Sequence, residues 1–463
     1  MLQEQNIRTV HTPSQNNSLN KMEAASVPKL VISMAVPFML SLLIQNLYNV
    51  VDSIFVSRIS ETALAATSLA YPVQILAIAI SVGLAVGTNA RISRLLGENK
   101  PDEVRSAATT ALLLAGAFSL LFTLAALFFI DPIVSVLAKN PDAVPMCRDY
   151  LSICMLFCFG QFIEIVSLRF MQASGKMVLS MFSMMIGAAV NLILDPILIF
   201  GLFSLPAMGV RGAAIATVAG QWCGAAAALL INHRYNPEVR PALLPFRWSV
   251  SSAREILRIG IPTMVMHGMN SVMNFGVNRL LLPFSSSAVA FYGVYYKLQN
   301  FLTMPLSGLG QAVIPIVGFN YGAKNTGRIR QAIRSGLFFS VIVAAVSTLV
   351  FQLFPAQLLS LFNAGREMLA IGVPAIRIIS AAFLFSAVTT ILGFAVSGLG
   401  NGVVNMVGTS LRQVVLLIPA AWALIHFRGL SSVWYAFWFS ETVACIVTVL
   451  YSRHVIERTL RSV

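Results

Sequence analysis

The sequence predicts an all-α polytopic membrane protein with twelve transmembrane helices in two related six-helix lobes. Of its 463 residues, 57% are hydrophobic and only 10% are charged, whereas a soluble domain carries about 25% charged residues. The mean hydropathy is +0.81. Apolar runs long enough to cross a bilayer follow one another along nearly the whole chain. An internal repeat then divides these runs into two sets of six.

Each expected span is an apolar run bounded by polar breaks. In the first half the runs lie near residues 30–57, 63–89, 106–130, 147–170, 177–203 and 209–232. In the second half they lie near residues 256–283, 287–315, 333–353, 369–397, 403–426 and 430–451. The resulting regions are a cytoplasmic tail at 1–28, a first lobe at 29–232, a cytoplasmic linker at 233–253, a second lobe at 254–452 and a cytoplasmic tail at 453–463.

Five pairs of identical residues, each separated by 225 positions, define the repeat. They are Pro37 and Pro262, Gln74 and Gln299, Gly97 and Gly322, Arg105 and Arg330, and Gly175 and Gly400. Because each half holds six spans, the second half enters the membrane from the same side as the first. The two halves are therefore parallel repeats related by an axis along the membrane normal. Two bundles facing each other across a cleft suit transport by alternating access.

The basic residues predict the orientation. With a cytoplasmic amino terminus, the inside segments hold 21 Lys and Arg residues and the outside segments hold 7. Such an excess marks the cytoplasmic side of a membrane protein. We expect both termini in the cytoplasm, with the chain crossing the lipid bilayer of the cell (inner) membrane. The net charge of +14 resides largely in these short loops, which argues against a nucleic-acid partner.

The first expected span carries an unusual number of polar residues. They are Gln45, Asn46, Tyr48, Asn49 and Asp52. Pro37 removes a backbone donor, so this helix is able to bend there. Asp52 lies six residues before Arg58, or about 9 Å along a helix, which leaves its carboxyl group inside the hydrocarbon layer. A carboxylate at that depth costs at least about 2.5 kcal/mol and by default marks an ion or substrate path.

Two other spans of the first half place polar residues at the same depth. Asn191 and Asp195 are four residues apart and share a helix face, as do Ala213 and Thr217 in the next span. Together with Asp52 they predict one polar layer in the outer half of the first lobe. Carboxylate, amide, hydroxyl and carbonyl oxygens suit Na⁺, which Asp52 and Asp195 would then ligate. The two acids are equally suited to share a proton, and the sequence leaves both options open.

The second half differs in its charges. Its intramembrane charged residues are Arg279, Lys297, Arg412 and Glu441, and we expect Glu441 to pair with one of the three bases. In the first half Glu164 is a candidate proton relay, because Arg169, five residues later, lies too far around the helix to pair with it. Several methionines, Met184 among them, lie on apolar surfaces and would suit a pocket for varied aromatic ligands. No cofactor is expected.

Four short motifs follow one another in the first half: Pro37, Tyr48-Asn49-Val50-Val51-Asp52, the stretch 91–97 and Asn191-x₃-Asp195-Pro196. With these motifs in order, the sequence resembles the multidrug and toxic compound extrusion family from about residue 28 to residue 455. The resemblance implies a V-shaped pair of six-helix lobes that exports cationic or amphipathic compounds against inward Na⁺ or H⁺ flow. We expect a monomer.

The resemblance also implies roles for individual residues. It implies cation coordination by Asp52, Asn191, Asp195, Thr217 and the Ala213 carbonyl, a conformational hinge at Pro37, and substrate contact at Gln45, Tyr48 and Met184, to which we add Asn49. The sequence departs from the branch of the family that has acidic residues in the second lobe. The corresponding stretch here is Met269-Asn270-Ser271, so we expect coupling through the first lobe.

Two other functions compete with drug export. The rival within transport is a flippase for a lipid-linked oligosaccharide, which would use Arg279, Lys297 and Arg412 to hold a pyrophosphate. An intramembrane enzyme would need a nucleophile or a metal cluster, and the sequence has neither a GxSxG nor an HExxH motif. We therefore expect a transporter and not an enzyme.

Overall fold

The computed structural model describes residues 19–137, 141–242, 248–362 and 364–461. Most of the predicted amino-terminal tail, residues 243–247 of the predicted linker, and residues 462–463 lie outside these ranges. Twelve long helical units follow in chain order. In the first half they are α1 Val27–Ser57, α2 Glu61–Gly97, α3 Pro101–Leu137, α4 Ala143–Leu156 with Phe159–Ala173, α5 Met177–Phe200 and α6 Val210–Tyr235. In the second half they are α7 Val250–Leu281, α8 Ser286–Gly322, α9 Thr326–Leu353, α10 Arg366–Ser380 with Phe383–Gly398, α11 Val403–Arg428 and α12 Tyr435–Arg461.

The number of spans agrees with the prediction once two bent helices and one polar helix are included. Among the described residues, nine helices are long and apolar enough to cross a membrane, and the bent pairs α4 and α10 bring the number to eleven. The twelfth is α7, which is 32 residues long but carries polar residues such as His267, Asn270 and Asn274. The expected all-α architecture is confirmed.

Several helices are longer than the expected spans. The second span was expected near 63–89, but α2 runs from Glu61 to Gly97, and α8 likewise extends to Gly322. Arginine and leucine are good helix formers, so the helix continues after the apolar run ends. The expected spans 147–170 and 369–397 are each divided, with bends of 47° in α4 and 48° in α10.

The two lobes pack together at one end of the molecule, which we call the closed end. It consists of the last turns of α2 and α8 and the first turns of α7. Gly87 packs on the backbone of Ile256, and Gly97 packs on the backbone of Phe319, so closely that neither has room for a Cβ atom. Glycine allows this approach because it has no side chain to separate the two backbones.

Ion pairs join the lobes at the closed end. Arg91 of α2 is only 7% exposed and donates from Nη1 to Glu255 Oε2 of α7 at 2.9 Å. Arg94 Nη1 lies 3.9 Å from the same carboxylate, and its guanidinium group lies 4.7 Å from the centre of the Tyr321 ring of α8. Glu255 therefore connects the second lobe to two cations of the first.

The opposite end is open. Asn46 of α1 still reaches Met304 of α8, with a distance of 3.4 Å between Nδ2 and Sδ. Further from the closed end, Leu47 and Val50 of α1 are 62% and 57% exposed. Because the closed end carries the segments rich in Lys and Arg, the predicted orientation would direct the open cleft away from the cytoplasm.

Replacing Glu255 by Gln is expected to loosen the closed end. Partly exposed ion pairs contribute about 0.5–1 kcal/mol, so the closed population should fall two- to fivefold relative to the open one. Distances between one spin label on each lobe at this end would measure the shift. As a control, Glu457→Gln removes an exposed pair with Arg453 within α12 alone. Equal distance distributions for both variants would contradict the assignment.

Candidate functional site

The helix α1 carries Asp52 into the interior of the first lobe. This helix is continuous from Val27 to Ser57, with Pro37 inside it. The carbonyl of Pro37 accepts a hydrogen bond of 2.9 Å from the Ser41 hydroxyl. Pro37 is buried, and the structure shows no break at this position. Asp52 lies just over four turns further along the same helix.

Close packing of α5 on α6 builds the second wall of the site. Gly187 of α5 faces Gly220 and Gly224 of α6. A Cβ atom on Gly187 or Gly220 would collide with the backbone of the facing helix, and one on Gly224 would collide with the Glu164 carboxyl group of α4. Small residues at a helix interface let the two backbones approach closely. As a result Asn191 of α5 packs directly against Gly220, which lies one turn from Thr217.

The predicted acids meet at this junction. The carboxyl groups of Asp52 and Asp195 lie within hydrogen-bonding reach of each other. Asn191 Nδ2 donates to Asp195 Oδ1 at 3.4 Å. Asp195 and Asn191 are 0% and 3% exposed. Of the sequence-predicted cation residues, the structure therefore brings Asp52, Asn191 and Asp195 together.

Three oxygens of this group have no partner. They are Asp52 Oδ1, Asn191 Oδ1 and Asp195 Oδ2, and each is buried without a hydrogen bond. Within the described ranges, neither acid lies within 4 Å of a lysine or arginine nitrogen. Buried acceptors normally find a donor, so this set has the chemistry to hold a proton or a small hard cation such as Na⁺. Two acids and an amide fit either ion.

Thr217 and Ala213 form the α6 edge of the site. The Thr217 hydroxyl donates to the Ala213 carbonyl at 3.0 Å, so that carbonyl already accepts one bond. Thr217 also lies within hydrogen-bonding reach of the Tyr150 hydroxyl of α4, which accepts a bond of 3.2 Å from Gln74 Nε2 of α2. Sequence reasoning missed Tyr150. The sequence did single out Gln74, because Gln74 and Gln299 form one of the five repeat-related pairs.

The predicted substrate-lining residues fall into two groups. Gln45 and Tyr48 are half-buried and Asn49 is exposed on α1, and the Gln45 side chain lies within hydrogen-bonding reach of the Tyr48 hydroxyl. Tyr48 lies near the carboxyl groups of Asp52, Asp195 and Glu164. Met184 is separate from them, because it packs on a small apolar cluster of Leu168, Met171 and Ala228.

Glu164 occupies a niche between α5 and α6. Its carboxyl oxygens fill the space beside Gly187 and Gly224, where side chains on those helices would otherwise project. Gly187, Asn191 and Asp195 follow one another at four-residue intervals on one face of α5. Glu164 packs beside Gly187 and therefore lies about 12 Å from Asp195 along this face, toward the amino-terminal end of α5. As expected, Arg169 does not pair with it. Arg169 Nη1 donates to Gln172 and, at 2.9 Å, to Gln311 of the second lobe.

In the second lobe Glu441 finds the expected basic partner. Arg412 Nη1 lies 3.6 Å from Glu441 Oε1 and donates to the Ser386 hydroxyl at 2.6 Å. Arg412 is part of a π-helical turn, Leu411–Val415, within α11. Its neighbour Gln413 donates to Asn270 of α7 at 2.6 Å. The charges of this lobe interior thus offset each other, unlike those of the first lobe.

Comparison with known proteins identifies the family. The MatE family matches residues 37–197 and 262–423. The chain belongs to the MatE family. The two matched segments begin 225 residues apart, which confirms the internal repeat. MatE proteins are membrane transporters, so the expectation of a multi-pass transporter and not an enzyme is confirmed.

Curated MatE relatives match over most of their length. A Thermotoga maritima protein described as probable multidrug resistance protein NorM is 27% identical over 430 residues, which is 90% of each chain. A Shewanella oneidensis protein described as FAD transporter is 26% identical and covers 86% of this chain and 88% of its own. The multidrug export protein MepA of Staphylococcus haemolyticus is 25% identical, with 93% and 94% covered.

Solved structures show the same fold. A MATE protein in a bent conformation superposes with a TM-score of 0.89 at 24% identity, and the match covers 96% of this chain and 99% of that one. An outward-facing multidrug resistance MATE transporter gives a TM-score of 0.87 at 24% identity, with 96% and 98% covered. This likeness confirms the predicted two-lobed, twelve-helix architecture.

Asp52 and Asp195 are expected to act as one unit in cation binding. In the purified protein, adding Na⁺ or lowering the pH from 8 to 6 should raise the unfolding temperature, because a cation bound only to the folded state stabilises it. Asp52→Asn and Asp195→Asn should each remove at least half of this response. The double variant should lose little more than either single variant, since the two groups share one cation.

The matched control is Asp131→Asn, which removes an exposed acid paired with Arg148 at 2.7 Å and should keep the full response. A double variant that still responds like the wild type would show that the cation binds elsewhere.

Proposed function

We propose that this MatE protein is a secondary active multidrug exporter that exchanges cationic or amphipathic organic compounds for H⁺ or Na⁺ across the cell membrane. The observation that carries the proposal is the pair of acids formed by half-buried Asp52 and buried Asp195. They lie within reach of each other and without a basic partner in the described parts of the chain. Such a pair requires a cation, and in an antiporter that cation is the coupling ion.

The names of the relatives support the export of drugs. The Thermotoga maritima relative is described as a probable multidrug resistance protein and the Staphylococcus haemolyticus relative as a multidrug export protein. The lipid-linked flippase considered above is not favoured, since these relatives are named for multidrug resistance and export. In addition, Arg412 contacts Ser386 and Glu441. Its positive charge is therefore partly compensated and would attract a pyrophosphate less strongly.

The geometry provides a mechanism for exchange. With the cleft open, a cation reaches Asp52 and Asp195 from the outer side, with Asn191, Thr217 and the Ala213 carbonyl as further oxygens. Binding of one cation compensates one of the two negative charges and so offsets the repulsion between the carboxylates. Tyr48 lies four residues before Asp52 on the same helix, so a movement of α1 would link the occupied site to the residues proposed to touch substrate. Each ligand shifts the two-state equilibrium by its difference in affinity for the two states.

Pro37 is the proposed hinge of this exchange. Pro37 lies in the half of α1 that is nearer the closed end. Because proline has no backbone N–H, the helix lacks one hydrogen bond there. A bend there would move Gln45, Tyr48 and Asn49 relative to Asp195, which α5 holds in place. We further propose that the protein acts as a monomer with both termini in the cytoplasm, and that the lobes span residues 29–232 and 254–452.

The first functional prediction concerns coupling. Asp52→Asn and Asp195→Asn should each reduce efflux of a lipophilic cation from sealed vesicles at least about tenfold, because neither variant retains the paired charge that a cation neutralises. Separately imposed sodium and proton gradients would identify the coupling ion. Asp131→Asn serves as the control, and surface labelling would verify equal amounts of protein in the membrane. Normal efflux from both variants would refute the coupling role.

The second functional prediction concerns Glu164 as a proton relay between the acids and the inner half of the lobe. Glu164→Gln is isosteric and keeps the packing against Gly187 and Gly224. It should slow proton-driven efflux about tenfold while leaving the cation-dependent rise in unfolding temperature intact. Glu61→Gln, at the exposed start of α2, is the control. A variant that transports at the wild-type rate would assign Glu164 a packing role only.

A further inference from the structure

The helix α8 turns one face toward the first lobe. On this face Gly308 packs against Met39 and the Ala35 carbonyl of α1, and Met304 contacts Asn46 at 3.4 Å. Residues seven positions apart lie on the same side of a helix. Lys297, seven residues before Met304, therefore lies on the same face, two turns closer to the open end.

The facing side of α1 is polar and open beyond this contact. Asn46, Asn49 and Ser53 follow at intervals of three and four residues, and all three are exposed. On α8, Gly293 and Asn300 are exposed as well, and the space in front of Gly293 holds no atom within 4 Å of where a Cβ would lie. The two faces thus meet at Asn46 and Met304 and separate outward into the cleft.

Lys297 and Asp52 lie at matching levels in this cleft. Lys297 is seven residues outward from Met304, about 10 Å, and Asp52 is six residues outward from Asn46, about 9 Å. The level of the acids on the first lobe is therefore also the level of a lysine on the second. The separation between the two side chains spans the open cleft.

Lys297 has no acidic partner in the segments 19–137, 141–242, 248–362 and 364–461. Its side chain is exposed, and no carboxylate oxygen lies within 4 Å of its ammonium group. A charged side chain at membrane depth needs water or a counter-charge and by default marks a functional site. Because its helix face looks across the cleft at α1, the ammonium group meets water and solutes there and not lipid.

We propose that Lys297, assisted by the Asn300 amide, forms an anion subsite that binds the carboxylate of a transported organic compound. This rests on the proposed function and specifies its substrate class. The first lobe holds two acids behind its cleft wall and the second lobe exposes an unpaired cation at the same level, so the cleft is electrically polarised. It therefore accommodates zwitterions, whose cationic end faces the first lobe and whose carboxylate faces Lys297.

A pair of dyes that differ only in their carboxyl group tests this subsite. Rhodamine B is zwitterionic, whereas rhodamine B ethyl ester has the same ring system and only the positive charge. Fluorescence anisotropy with the purified full-length protein would give the dissociation constant of each dye. Lys297→Gln should weaken binding of rhodamine B about fivefold, the effect of one partly solvated ion pair, and leave binding of the ester unchanged.

Two further variants serve as controls. Lys297→Arg keeps the charge and should retain the preference for rhodamine B. Arg428→Gln removes an exposed cation at the outer end of α11 and should change the binding of neither dye.

Several outcomes would overturn the subsite. They are equal losses for both dyes in Lys297→Gln, no loss for either dye, or wild-type protein that does not distinguish the acid from the ester. Competition by short-chain phosphatidylglycerol without any difference between the dyes would assign Lys297 to lipid headgroups instead. Efflux of the ester from vesicles is a separate readout, and its absence in the wild type would count against the proposed function and not against the subsite.

Discussion

The contact between Asp52 and Asp195 is the interaction on which the proposed mechanism depends. Asp195 is buried and Asp52 is half-buried, and no lysine or arginine nitrogen in the described ranges lies within 4 Å of either acid. In such surroundings the repulsion between two ionised carboxylates is larger than in water. A cation or proton at this point would relieve that repulsion, and in the proposed mechanism occupancy of the site therefore determines the conformation.

This contact depends in turn on backbone packing. Gly187, Gly220 and Gly224 allow α5 and α6 to lie so close that Asn191 packs on Gly220 and Glu164 fits beside Gly224. A methyl group on Gly187 or Gly220 would collide with the backbone of the facing helix, and one on Gly224 would collide with the Glu164 carboxyl group. The polar site thus depends on three glycines that have no side chain but allow the surrounding helices to pack closely.

The sequence predicted the spans, the repeat and the acids, because hydropathy, spacing and isolated intramembrane charges are local signals. It did not predict Tyr150 as a neighbour of Thr217, the bends in α4 and α10, or the role of Glu255. These features depend on how each helix is rotated about its axis and on which helices become neighbours. The length of α2 was also underestimated, since Arg91 and Arg94 end the apolar run but not the helix. The resemblance implied that Met184 contacts substrate together with Gln45, Tyr48 and Asn49 of α1, whereas Met184 packs on Leu168 and Met171.

The two lobes share one fold but differ in charge, so the two walls of the cleft are electrically different. In the first lobe the acids are left without bases, so they depend on a mobile ion. In the second lobe Glu441 is held by Arg412, so that charge is internally compensated and no ion is required there. Lys297, on the cleft face of the second lobe, has no acidic partner in the described ranges. In the proposed cycle, cation binding acts on one wall only, while the opposite wall keeps a constant charge. We therefore propose that substrate held between the two walls is released by changes in the first lobe alone.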